Sequence, residues 1–252
     1  MVNFIINADD YGETEAASAA IVDLFREDLL DRTTMIVNRG GAESFVERAR
    51  ENGFLNKIGL HLNIYDGRPL TQEICACPRF VSDGEFNHVY RGRPLGRFLI
   101  SRKEKKALAI EADAQFKRFL ELLGPDCLRH FDSHHHTHID WSVWGTIKKA
   151  ALANGFTDVR LSQNVFGKDK TLSLLKRLYK ALFNKRLRKD FSSTTYFSSV
   201  KEFANVTEKR REEIMTKGTD IELMCHPKYL EDGSFKDQEE IEVLRKLKKG
   251  TF

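Results

Sequence analysis

Eight histidines occur in the chain, and five of them fall between His130 and His138. Four of these lie in the tract FDSHHHTH, residues 131–138. Imidazole is the commonest metal ligand, and each buried imidazole needs a partner. Such density at the end of an apolar run therefore points to metal coordination; a surface cluster without chemistry is the plainer alternative. On an extended segment, His134, His136 and His138 share a face with Asp132, and His135 points the other way. A second loaded segment is NADDYG, residues 7–12. Two adjacent carboxylates after an apolar run are costly to bury unless a cation holds them. Because neighbours on a strand end face different ways, one of Asp9 and Asp10 can ligate a metal while the other acts as general base on a bound water. The competing reading makes Asp10 the cap of the following helix.

Three further positions extend the set. His61 stands inside the apolar run of KIGLHLN, His226 follows a strand in ELMCHPKY, and Arg160 is a charge within DVRLSQ. Alone, His61 reads as a core histidine, and its weight comes from the combination. His226 is either structural or an acid/base group, and Arg160 either orients a carboxylate such as Asp9 or sits exposed at a strand end.

The elements that must position these residues alternate in type. Apolar runs at residues 2–6, 33–37, 57–64, 128–133, 158–161 and 221–225 read as strands. Between them, helical patterns cover residues 13–26, 42–52, 103–123, 141–154, 171–188 and 200–217, with a last helix at 237–249. Residues 65–96 carry turn signals at Asp66-Gly67, Pro69, Pro78, Asp83-Gly84 and Pro94 and read as a loop insertion. Strands alternating with helices imply βαβ units and a parallel sheet. Six units suggest a barrel or distorted barrel, with an open doubly wound sheet as the alternative. Asp9, Asp10, His61, the 134–138 tract, Arg160 and His226 fall at or near the C-terminal ends of strands, where parallel α/β folds build sites. The whole chain, 1–252, is expected to form one domain.

Composition narrows the partners. The 252 residues carry 41 Lys and Arg against 37 Asp and Glu, a net charge of +4 that argues for no nucleic-acid partner. Residues 102–106 and 176–189 are locally basic. The second stretch reads as a solvated helix face, with Leu178, Leu182 and Phe183 as its apolar stripe. No run reaches the length of a membrane span and the N-terminus lacks a basic leader, so no membrane partner and a reducing cytoplasm are expected. Cys127 and Cys225 read as reduced core thiols, and Cys75 and Cys77 as loop thiols.

Taken in order, NADDYG, GLHLN, DSHHHTH, DVRL and MCHP resemble the motifs of the YdjC-like, or ChbG-type, carbohydrate deacetylases. The resemblance implies a distorted parallel β/α barrel, TIM-like and related to polysaccharide deacetylases. It implies one divalent metal ion, magnesium or zinc foremost, held by Asp10, His61 and His134. Asp9 matches the general base and His226 the general acid. His136 and His138 match motif positions that carry no assigned individual role and, with Arg160, are candidates for substrate binding or orienting. The implied reaction is removal of an N-acetyl group from an amino sugar or short chitooligosaccharide-like substrate, by an enzyme that could act as a homodimer. Residues 65–96 and 171–189 match no motif and are expected to set substrate choice. Rival readings are a metal-dependent phosphoesterase using His136 and His138 as extra ligands, an iron oxygenase with a two-histidine-one-carboxylate site, and a non-catalytic sugar- or metal-binding relative.

Overall fold

A computed structural model describes residues 2–92, 95–215 and 219–250. In chain order its elements are β1 (Asn3–Tyr11), α1 (Glu15–Arg26), β2 (Arg32–Met35), α2 (Ala42–Glu51), β3 (Ile58–Leu62), α3 (Gln72–Cys75), β4 (Val81–Ser82), β5 (Glu85–Phe86), α4 (Val89–Gly92) and α5 (Arg102–Leu123). There follow β6 (His130–Ser133), a 3₁₀ turn (His134–Ile139), α6 (Trp141–Ala153), β7 (Asp158–Val159), α7 (Leu174–Leu187), β8 (Tyr196–Ser199), α8 (Val200–Ala204), α9 (Glu208–Met215), β9 (Asp220–Cys225) and α10 (Gln238–Lys248). The main sheet has seven strands in the order β7-β6-β3-β2-β1-β9-β8. The pairs β1–β9, β8–β9 and β3–β6 are parallel. This is the expected parallel β/α architecture, a distorted barrel. Among the described residues no helix is long and apolar enough to cross a membrane.

The chain divides into two compact units, Met1–Thr33 with Asp158–Phe252, and Thr34–Thr157. In the first, β1 and β9 pair from Asn3–Asp220 to Ala8–Cys225. Helix α1 buries Ala17, Ala20, Ile21 and Leu24, a helical face opened by Thr14, whose hydroxyl accepts from the Ala17 amide at 3.2 Å. Thr14 is thus the cap, and Asp10 is released from the capping role weighed above. In the second unit, Phe116, Phe119, Phe131 and Phe156 interlock edge to face or tilted around α5 and β6. Helix α5 opens with a capping box between Ser101 and Glu104. Gly59 lets β3 approach β6: a Cβ there would sit 2.8 Å from the His130 carbonyl oxygen.

Three stretches depart from the sequence expectation. The helix expected over 200–217 is α8 and α9, separated at Asn205–Thr207; Thr207 starts α9 by accepting from the Arg210 amide. Its residues 216–217 lie outside the described residues, as does Pro94 of the insertion. Strand β8, only four residues long, is too short to show a period. Within 65–96 the chain forms α3, the β4–β5 hairpin and α4 rather than a bare loop. Cys127 and Cys225 are buried as expected, and Cys77 is buried too.

Candidate active site

The first unit holds a closed circuit of buried polar side chains. Asn7 and Asp9, two apart on β1, share a face, and the Asn7 amide donates to Asp9 Oδ1 at 2.8 Å. Arg160, just after β7, grips both Asp9 oxygens, Nη1 to Oδ2 at 2.6 Å and Nη2 to Oδ1 at 2.7 Å. Its Nε donates to Glu222 Oε1 on β9 at 2.6 Å. Arg32 Nη2 is ion-paired with Glu222 Oε2 at 2.8 Å and Arg32 Nε donates to Asn7 Oδ1 at 3.1 Å, closing the ring. Two guanidinium groups and two carboxylates neutralise one another, which is what makes their burial tolerable. Phe197 lies against the Arg160 guanidinium, 4.9 Å from its ring centroid. Of the two meanings weighed for Arg160, the structure has the carboxylate-holding one: Arg160 is completely buried.

Asp10 is the next residue, and its φ of 70° is left-handed, a strained conformation for a non-glycine residue that is often found at functional sites. His226 follows β9, half exposed, with Nε2 3.8 Å from Asp9 Oδ2. Beside it is a cavity of about 410 Å³ lined by Ser199, Lys201, Asn205, His226, Asp237 and Glu240, among others. Burial pushes the Glu240 carboxyl up to about 7, against opposing contributions from His226 and the His226 and Lys201 amides. Between the ordinary value of 4.5 and about 7, the folded chain holds a proton that the unfolded chain has released. Stability from this group is full below 4.5 and is lost as pH rises through about 7. A Glu240→Gln variant is expected to lose that part of the pH dependence, at most about 3 kcal/mol. Melting temperatures of both proteins between pH 5 and pH 8, on the order of one reading per half unit, would check it.

The second unit holds His61, His88 and the histidine tract. His61 and Asp132 are register partners on β3 and β6. The His61 Nδ1 atom lies 2.5 Å from Asp132 Oδ1, and the Thr34 hydroxyl contacts both, at 3.1 Å each. His134, first residue after β6, sets its ring 5.5 Å from that of His61, at 73°. Its Nε2 lies 3.0 Å from Asp66 Oδ2, and Asp66 Oδ1 lies 3.1 Å from His88 Nε2. Burial alone would raise the Asp66 carboxyl, but the bond from His88 and the charge and bond of His134 outweigh it and lower it. Tyr65 stacks on His88 at 3.9 Å and leans on His135 at 4.2 Å.

The loop carrying Asp66 is built by the asparagine of GLHLN. Asn63 Oδ1 accepts from the amides of Tyr65 and Asp66, and its Nδ2 donates to the Asp66 carbonyl. Gln115 and Glu111, one turn apart on α5 and both buried, bond the backbone at Asn63, Leu70 and Thr71. A polar stripe on a buried helix face thus fixes the loop.

The histidine tract itself is not extended. His135 and His136 take φ of 52° and 53°, and the tract coils into a 3₁₀ turn. The alternating faces expected for His134, His136 and His138 are therefore corrected. What holds the strained turn is chemistry from its flanks. Ser133 Oγ accepts from the His138 amide at 2.8 Å and meets His138 Nδ1 at 2.6 Å. Arg91 donates to the carbonyls of His135 and His136 and to Asp140, which also receives Arg97 and the Tyr90 hydroxyl. His138 is completely buried as a brace, and His136 is half-buried. Arg32, Glu222, Arg91 and Asp140 were not singled out in the sequence, and Asp66 only as a turn residue. Glu222 had a signal: like Arg160, it is a charge inside an apolar strand.

The family model for YdjC-like proteins matches residues 3–248. The chain belongs to the YdjC-like family. This YdjC-like chain is 29% identical over 233 residues to a chitooligosaccharide deacetylase of Serratia marcescens, covering 90% of this chain and 82% of the relative. Its fold is similar to that of an Enterococcus faecalis V583 protein provisionally described as a cellobiose-phosphate cleavage protein, with TM-score 0.69, 20% identity and coverage of 96% and 90% of the two chains. A Streptococcus mutans CE4 esterase is similar at TM-score 0.50 and 13% identity, over 98% of this chain and 82% of the other. At these identities the two structures speak for the fold alone.

Proposed function

We propose that this YdjC-like chain is a metal-dependent carbohydrate deacetylase that hydrolyses the acetamide of an N-acetylated amino sugar or short chitooligosaccharide-like substrate. The observation that carries the reading is Asp9: a buried carboxylate clamped by Arg160 and Asn7, with His226 3.8 Å away. A carboxylate and an imidazole this close suit the base and acid of one hydrolytic step. The description of the Serratia relative supports the substrate class.

The donor set fits a divalent ion. His61 turns Nδ1 onto Asp132, the arrangement that directs a histidine's Nε2 to a metal. We assign His61, His134 and Asp10 as the ligands, with magnesium or zinc as the ion. When bound, the metal supplies Lewis-acid polarisation of the acetamide carbonyl and lowers the pKa of water. Asp9, fixed in direction by Arg160, takes the proton of the water that attacks the carbonyl carbon. His226 gives a proton to the sugar nitrogen as the C–N bond breaks, and acetate and a free amine leave. His136 and His138 shape the turn that presents His134. Residues 1–252 act as one catalytic domain with an insertion at 65–96, in a reducing cytoplasm that suits the free cysteines.

Acetate release from a panel of N-acetylated mono- and oligosaccharides, with the metal stripped and restored, tests this reading. Release that requires the restored metal is expected; no metal-dependent release from any member would overturn it. The rival two-metal phosphoesterase draws on one observation, that Asp66, His134 and His135 offer ligand atoms within 4.8 Å of one another. A metal count of two per chain, with turnover of a phosphate ester in a parallel assay, would favour it. Sedimentation would test the expected homodimer.

A further inference from the structure

Helix α7 has an arrangement that the site does not use. Its rotation is fixed on the inner side, where Phe183, Asn184 and Leu187 are buried. The Asn184 side chain accepts from the Ser162 amide at 2.8 Å and donates to the Ser162 carbonyl at 2.9 Å. At 100° per residue, Leu174, Leu175, Leu178 and Leu182 then fall on the opposite side. They are 82%, 77%, 53% and 53% exposed. Of the apolar stripe expected from Leu178, Leu182 and Phe183, only Phe183 is buried; Leu178 and Leu182 belong to a second apolar face, and it faces out.

The polar residues of α7 are one-signed. Within Leu174–Leu187 stand Lys176, Arg177, Lys180, Lys185 and Arg186, and no Asp or Glu. Beside the leucine face, Arg177, Lys180 and Ala181 line a cavity of about 690 Å³, shared with Lys170 and Arg210, which are ion-paired with Glu202 and Glu213 outside its lining. A second copy packed on this helix about a two-fold axis would set these cations against their own equivalents. Charge complementarity selects an anionic occupant. A helix with leucines outward, flanked by Lys and Arg, has the make-up of an interfacial helix lying in the plane of a lipid surface.

We propose that α7 docks the protein onto anionic lipid bilayers, with the leucine face in the acyl boundary and the cationic cavity receiving lipid headgroups. The absence of a spanning run, from which no membrane partner was expected, does not bear on a helix that lies in the surface. The proposal does not rest on the deacetylase reading.

Flotation of the full chain with phosphatidylcholine vesicles, with and without phosphatidylglycerol, tests it. Binding is expected only to the phosphatidylglycerol vesicles, falling as salt is raised. Leu175→Ser with Leu178→Ser, and separately Arg177→Gln with Lys180→Gln, should each weaken binding by about tenfold or more. The melting temperature of the leucine variant should be unchanged, because Leu175 and Leu178 lie outside the core. No binding to anionic vesicles, equal binding to neutral ones, or undiminished binding of the leucine variant would overturn the proposal. So would a dimer that the leucine variant dissociates, if the parent protein ignores the vesicles.

Discussion

Exchanging Asp9 for asparagine is expected to lower turnover by about 10²–10⁴-fold, the usual contribution of a positioned general base, while the chain still binds its metal. Asp9 presents both oxygens to the Arg160 fork and one to Asn7, so its direction is set by three bonds before any substrate arrives. An asparagine keeps the shape but turns a donor toward a guanidinium that can only donate. The substitution therefore also strains a buried ion-pair circuit, and up to about 3–5 kcal/mol of stability is at stake. The two effects separate in measurement. Turnover is read well below the variant's melting temperature, and metal content by elemental analysis of the same sample. Arg160→Lys serves as the partner experiment, because lysine keeps the charge and loses the bidentate fork. It should lower stability and turnover together while Asp9 itself is intact. An Asp9→Asn protein with full metal and full turnover would remove Asp9 from the mechanism.

Which parts of this were legible in the sequence follows from the range of the interactions. Strand ends are local, so Asp9, Asp10, His61 and His226 could be placed at the C-terminal ends of strands from apolar runs alone. Arg160 could be flagged because a charge in a short strand demands a partner. The partner's identity was not legible, since Glu222 and Arg32 are brought to it by pairings between distant segments. The histidine tract misled for a related reason. Five polar, bulky residues in a row suit an extended reading, yet Arg91 and Asp140 hold two of them at positive φ. Those holders come from the insertion and from the start of α6, and no local pattern announces them. Helix α7 misled differently: its leucines occupy more than one face, and only the buried Asn184 and Phe183 decide which face turns inward.

For His61 as the proposed ligand, the carboxylate behind it should matter nearly as much as the imidazole itself. Asp132 is completely buried and meets His61 Nδ1 at 2.5 Å, with Thr34 bridging the pair. An ionised Asp132 can only accept, so it fixes the proton on Nδ1 and leaves Nε2 as the basic nitrogen. Asp132→Asn is isosteric but can turn its amide toward Nδ1, which favours the opposite tautomer and removes the negative charge that strengthens the imidazole as a donor to metal. The expected result is a loss of about 10–100-fold in metal affinity, measured by competition with a chromophoric chelator. Saturating metal should then restore much of the turnover, which distinguishes a positioning role from participation in proton transfer. Thr34→Val gives a graded companion, since it removes one neutral hydrogen bond and should cost less than Asp132→Asn. Unchanged metal affinity in Asp132→Asn would return His61 to the status of a hydrogen-bonded core histidine.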